Sequence, residues 1–226
     1  LGEISTQDSD YFQSWQNLEA RVSGSLPKIL KKVEFGEYGA LATILDRTPS
    51  SSLIHVANSM AVRYLNFLGR RTQEICCNRG TSGIDGSSST AVGATFIREG
   101  LVTLITGDMA FFYDRNAFWH NYPLANLRII LLNNHAGGIF RLIDGPAGQP
   151  ELAEFFETQQ ALTAAHLAAE YGFHYASVTT SEELETALSE FYEPSLQPKI
   201  IEIESSSSRN AEILKQIKGS ISASFA

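Results

Sequence analysis

Short apolar runs alternate with helically spaced segments along most of this chain, and that alternation restricts the fold more than any single residue does. Leu53–Ala57, Glu74–Cys77, Leu101–Thr106, Arg128–Leu132, His174–Val178 and Lys199–Ile203 read as strands. Met60–Leu68, Ser88–Ile97, Leu162–Tyr171, Glu182–Phe191 and Ala211–Ile217 read as helices between or after them, and another helix opens at Gly107-Asp108. Strands separated by helices imply an α/β fold: a mainly parallel sheet with helices on both faces. Right-handed crossovers then bring the loops that follow the strands to one edge, where open α/β sheets hold ligands. Three loop groups fall there: 58–63, 78–86, and 107–110 with 133–140.

Upstream, Tyr11–Val22 has helical spacing, with Phe12, Trp15, Leu18 and Val22 on one stripe. Phe35–Leu45 reads as a second helix, ended by Thr48-Pro49. Residues 1–48 are accordingly expected to be a linker or helical remnant leading from a preceding domain, and 49–226 the ligand-binding domain. Asn58-Ser59 is expected to cap the helix from Met60. Gly145–Pro150 marks a flexible loop and candidate lid, and Ser205–Ser208 a polar connector.

With 226 residues the chain is of a size that one core can fill. Twenty-five acidic against 17 basic residues give a net charge of -8. Such a field repels phosphate backbones and anionic bilayers, so neither nucleic acid nor membrane is an expected partner. Anionic substrates would need local arginines. Cys76 and Cys77 are adjacent, which suits neither a disulfide nor a zinc site; they read as small buried side chains of a reducing compartment. No apolar run approaches the ~20 residues of a membrane span. Leu1–Asp10 is polar and lacks a signal-peptide core, so a cytoplasmic location is expected. The start at Leu, not Met, suggests a piece of something longer.

Gly107-Asp108 at the end of one strand and Asn133-Asn134 at the end of the next carry the chemistry. A diphosphate with magnesium needs hard oxygen ligands and free backbone N–H groups. Gly107 permits close approach, Asp108 faces the cation, and the amides of Met109 and Ala110 point at phosphate oxygens. Asn134 adds an amide oxygen and Ala136 a backbone carbonyl. Each half alone has a plainer reading: Asp108 as a helix cap, Asn133-Asn134 as a turn.

The Gly-Asp and Asn-Asn pair resembles the magnesium–diphosphate signature of thiamin-diphosphate enzymes, although Met109 stands where the third residue is usually glycine. The run Asn78-Arg79-Gly80-Thr81-Ser82-Gly83-Ile84-Asp85-Gly86 is similar to that of one branch, the 2-succinyl-5-enolpyruvyl-6-hydroxy-3-cyclohexene-1-carboxylate synthases of menaquinone biosynthesis. Asn58-Ser59-Met60-Ala61-Val62-Arg63 resembles that branch's Asn-Ser-x-x-x-Arg element. Tyr113-Asp114-Arg115-Asn116 and Asn133-Asn134-His135-Ala136-Gly137-Gly138-Ile139-Phe140 fit it too, with Ala136 where glycine is usual.

The resemblance implies decarboxylation of 2-oxoglutarate and addition of the succinyl unit to isochorismate, with thiamin diphosphate and Mg2+ (or Mn2+) as cofactors. Ser59, Arg63 and Arg79 would hold substrate carboxylates, for which a planar guanidinium suits. Ile84 would support the bent cofactor, and Ile139 and Phe140 would line the substrate pocket. The activating glutamate is expected on an N-terminal pyrimidine-binding domain facing this one from a second subunit of a homo-oligomer. The isolated chain is therefore expected to be inactive. Two other readings stay open: another thiamin-diphosphate branch, of acetohydroxyacid synthase or 2-oxoacid decarboxylase type, and a non-catalytic phosphate-binding α/β module.

Overall fold

The computed structural model describes residues 10–224, so the polar start lies outside the described residues. The chain divides into two compact units, Leu1–Val33 with Lys215–Ala226, and Glu34–Leu214. The first contains α1 (Asp10–Leu30), a single 21-residue helix that runs past Val22 and takes Pro27 into its last turns. Phe12 and Trp15 of its apolar stripe are exposed.

The second unit begins with α2 (Glu37–Arg47), so it takes in residues 34–48, which the sequence reading set apart with the linker. Tyr38, Leu41, Ile44 and Leu45 bury one face of α2. Thr48 ends it, its hydroxyl bonded to the Ile44 carbonyl. There follow β1 (Leu53–Val56), α3 (Met60–Phe67), β2 (Glu74–Cys76), α4 (Ser87–Thr95), β3 (Val102–Gly107), α5 (Asp108–Tyr113) and β4 (Leu127–Asn133). The chain closes with α6 (Ala165–Tyr171), β5 (His174–Val178), α7 (Ser181–Phe191), β6 (Lys199–Glu204) and α8 (Ser207–Ala223).

The sheet order is β2-β1-β3-β4-β6-β5, and every neighbouring pair is parallel. β4 is buried along its whole length, as a central strand covered on both faces must be. Leu104, Ile105, Ile129, Ile130 and Leu131 are fully enclosed, each contributing about 1.5–3 kcal/mol through burial.

Three local expectations need correction. β2 is an exposed edge strand with one neighbour, so Cys76 is exposed and Cys77 half-buried; both are free thiols. Ser59 stands at the N-cap of α3 at φ 68° with no side-chain cap bond, and Asn58 points elsewhere. Only residues 205–206 connect β6 to α8; Ser206 Oγ accepts the Arg209 N–H and Ser207 is already helical. The loop at 145–150 contains a short 3-10 turn, Pro146–Gly148, followed by a π-type turn, Leu152–Phe156.

Candidate functional site

Strand order reverses between β1 and β3, so the loops leaving these two strands diverge and leave a crevice at the carboxyl edge of the sheet. β3 and β4 are parallel neighbours with Gly107 opposite Leu132. Asp108 and Asn134 therefore emerge on the same edge, one strand apart. A cavity of about 520 Å3 opens there. Ser59 and Arg63 line it from the start of α3, and Arg79 and Ile84 from the loop after β2. Gly107, Asp108, Met109 and Ala110 line it from the β3–α5 junction; Asn134, Ala136, Ile139 and Phe140 line it after β4. All twelve residues singled out from the sequence meet in this one cavity.

Asp108 is buried, and its Oδ2 accepts the Gln160 amide at 2.8 Å. Burial pushes its carboxyl up to about 6, against the opposing pull of Gln160 and the Met109 backbone N–H. Asn134 is buried as well. Its Nδ2 donates to Glu37 Oε1 at 2.8 Å, whereas its Oδ1 is enclosed with no hydrogen-bond partner. A buried acceptor left open at a cavity can take an ion, a ligand or water as its partner. The Ala136 carbonyl accepts the Gly138 N–H at 2.9 Å and keeps a second lone pair. One carboxylate, one amide oxygen and one backbone carbonyl form a hard-oxygen set that fits a magnesium ion sharing its shell with phosphate oxygens and water. Among the described residues, no group of three or more His, Cys, Asp or Glu is placed to hold a metal ion.

The arginine side of the cavity is held by Asn58. Its Nδ2 donates to the carbonyls of Asn78 (2.8 Å) and Gly83 (2.6 Å), pinning both ends of the loop that carries Arg79. Its Oδ1 accepts Arg79 Nη1 at 2.9 Å. Arg63 is exposed and turns Nη1 to the Ser59 carbonyl at 2.8 Å. Both guanidiniums thus keep free donors at the cavity. Asp114 ties α5 to α4 by accepting the Ser89 N–H and hydroxyl, each at 2.7 Å. His135 sits at φ 60° in the turn after β4, its Nε2 paired with Glu204 at 2.8 Å.

Two contributors escaped the sequence reading. Glu37 is fully buried, and burial pushes its carboxyl up to about 7 while the amide of Asn134 and the hydroxyls of Tyr64 and Ser205 pull it back. Its signal was readable: an acid four and seven residues before Leu41 and Ile44, on the apolar stripe of a helix. Gln160 left no such signal, because it reaches Asp108 from an irregular segment.

Residues 57–203 match the family described as thiamine pyrophosphate enzyme, C-terminal TPP binding domain. A 2-succinyl-5-enolpyruvyl-6-hydroxy-3-cyclohexene-1-carboxylate synthase of Cytophaga hutchinsonii is 46% identical over 98% of this chain and 40% of its own length. The synthase of Christiangramia forsetii is 41% identical over 82% of this chain and 32% of its own length, and that of Bacteroides fragilis 36% over 94% and 38%. The chain therefore spans about two fifths or less of these relatives. Benzoylformate decarboxylase from Polynucleobacter necessarius is similar in structure, with a TM-score of 0.64 and 17% identity over 75% of this chain and 33% of that one. At that identity the likeness shows the fold alone.

Proposed function

The chain belongs to the thiamine pyrophosphate enzyme family, as a carrier of its C-terminal TPP-binding domain, and from that membership we propose that it forms the diphosphate- and magnesium-binding part of a 2-succinyl-5-enolpyruvyl-6-hydroxy-3-cyclohexene-1-carboxylate synthase. The observation that carries this reading is the single cavity lined by all twelve residues, with the unpartnered Oδ1 of Asn134 inside it.

Asp108, Asn134 and the Ala136 carbonyl would hold Mg2+, and the Met109 and Ala110 amides at the start of α5 would face the diphosphate. Gly107 leaves room: an added Cβ would meet nothing closer than the Leu132 carbonyl at 4.0 Å. Ile84 would support the thiamin rings. The chemistry supplied by bound thiamin diphosphate is an electron sink for carbanion character beside a carbonyl. The protein's own part is to orient, to neutralise carboxylates and to exclude water. Arg63 and Arg79 supply the local positive charge that an acidic chain otherwise denies to 2-oxoglutarate and isochorismate, both of which carry two carboxylates. Ile139 and Phe140 form the apolar wall against the carbon skeleton.

The acetohydroxyacid synthase or 2-oxoacid decarboxylase reading lacks a use for the Arg79 loop and for Arg63. A non-catalytic phosphate-binding module would need neither Asp108 nor Asn134 as metal ligands. Calorimetry with thiamin diphosphate, with and without Mg2+, tests the proposal. Binding should require the metal and be lost in Asp108→Ala. Binding indifferent to Mg2+ would instead favour the module.

A further inference from the structure

Glu37 lies outside the motifs, on a helix that precedes the sheet, yet its carboxylate touches a candidate metal ligand from behind. Its Oε1 accepts Nδ2 of Asn134 at 2.8 Å, and both side chains are buried. In its ionised form the carboxylate can only accept, and the NH2 edge of the Asn134 amide is then the only edge it admits. The amide has two edges; with one fixed, Oδ1 must face the cavity, where it has no protein partner. A flipped amide would set Oδ1 against the carboxylate and turn two N–H donors toward the cation.

The backbone around Glu37 is itself held. Its N–H donates to Asn210 Oδ1 of α8 at 3.1 Å. The neighbouring Gly36 allows this approach: a Cβ there would sit 2.8 Å from Ile213 Cδ1 and 2.9 Å from Asn210 Oδ1. Tyr64 and Ser205 also flank the Glu37 carboxyl and favour its charged form.

We propose that Glu37 is the positioning residue for Asn134, acting across the hydrogen bond to keep the amide oxygen aimed at the metal. The inference rests on the magnesium–diphosphate reading above and deepens it: metal affinity is set from a helix that the motifs do not include. Glu37 does not touch cofactor or substrate in this role.

The test is a Mg2+ titration of thiamin diphosphate binding to the full chain at millimolar cofactor, for the wild type, Glu37→Gln and Tyr64→Phe. Metal-free thermal unfolding is measured alongside. Glutamine is isosteric and neutral, so it removes the enforced orientation without opening a cavity, and its amide can present either edge to Asn134. Glu37→Gln should raise the Mg2+ concentration for half-saturation about 10–100-fold, the range seen when residues that orient metal ligands are altered. Its metal-free melting temperature should not fall. Tyr64→Phe alters a different neighbour of the same carboxylate and leaves its bond to Asn134 in place, so the Mg2+ midpoint should stay within about threefold of wild type, below that same range. Overturning results would be an unchanged midpoint in Glu37→Gln, or an equal rise in Tyr64→Phe, which would point to general loosening. A wild type whose cofactor binding ignores Mg2+ would defeat the site reading itself, and this inference with it. A magnesium-dependent wild type matched by Glu37→Gln would defeat the inference alone.

Discussion

The two ends of β4 carry buried polar clusters of opposite character. At its entry Arg128 is fully enclosed, with Nε donating to Phe191 O (2.6 Å), Nη1 to Ala125 O and Leu127 O (2.9 Å each), and Nη2 to Glu193 O (2.8 Å). Lys199, its register partner on β6, donates to the carbonyls of Glu190 and Glu193. These cations close the C-terminal end of α7, where unpaired carbonyls and the helix dipole favour positive charge. At the exit of β4, two acids are buried with their carboxyls pushed up to about 7 (Glu37) and about 6 (Asp108), and the amide oxygen of Asn134 has no partner. One end is completed by the fold; the other leaves Asn134 Oδ1 and His135 Nδ1 buried without partners. That contrast separates polar burial satisfied within the protein from polar burial left open to a further partner.

The largest effect should come from the completed end. Arg128→Met takes a donor from four carbonyls, of which that of Glu193 keeps another, from Lys199, and unfolding free energy should fall by about 3–5 kcal/mol in urea titrations, with cofactor affinity in the surviving folded protein unchanged. Asp108→Asn should do the reverse. Magnesium-dependent cofactor binding drops at least ~100-fold, about 2.7 kcal/mol, while metal-free stability at neutral pH holds or rises because a buried charge is gone.

The acids also set a pH dependence. A carboxyl whose folded pKa is raised keeps a proton that the unfolded chain has lost, so its contribution is full below the unfolded value and lost as pH climbs through the folded one. For Glu37 that window runs from 4.5 to about 7, and for Asp108 from 3.8 to about 6. Chelator-treated protein should therefore be less stable at pH 8 than at pH 5, by on the order of 2 kcal/mol, and Glu37→Gln should flatten the difference. A profile rising over this range would show that these carboxyls are not strained by burial.

Gly36→Ala should cost about 1–2 kcal/mol, since its Cβ would press on Ile213 and Asn210. Thermal melts check the loss, which should be accompanied by weaker Mg2+ dependence if α2 carries Glu37 out of place. The smallest effect belongs to the surface. Arg47 pairs with Glu185 at 2.8 Å with both side chains about half exposed, and Arg47→Ala should change stability by less than ~0.5 kcal/mol.

Much of this was legible in advance because it lies in local pattern. Apolar runs identified every strand among the described residues, parallel crossovers predicted the shared edge, and the Gly-Asp and Asn-Asn motifs pointed to Gly107, Asp108 and Asn134, which line one cavity. What stayed hidden depends on tertiary contact. Edge position, not composition, decides that Cys76 is exposed on β2. Asn58 reads as a helix cap but bonds a loop 20 and 25 residues on, and no sequence spacing encodes that. Gln160 reaches Asp108 from an irregular segment with no periodicity to read. Glu37 was the exception: a carboxylate on an apolar helical stripe calls for a partner, and that partner proved to be Asn134.

The most direct measurement is anomalous diffraction from crystals grown with Mn2+ and thiamin diphosphate. A metal peak within about 2.2 Å of both the Asp108 carboxylate and Asn134 Oδ1, bridged to the diphosphate, is the expected result. Diphosphate density with the ion elsewhere, or with Asn134 turned so that Nδ2 faces the site, would contradict the account.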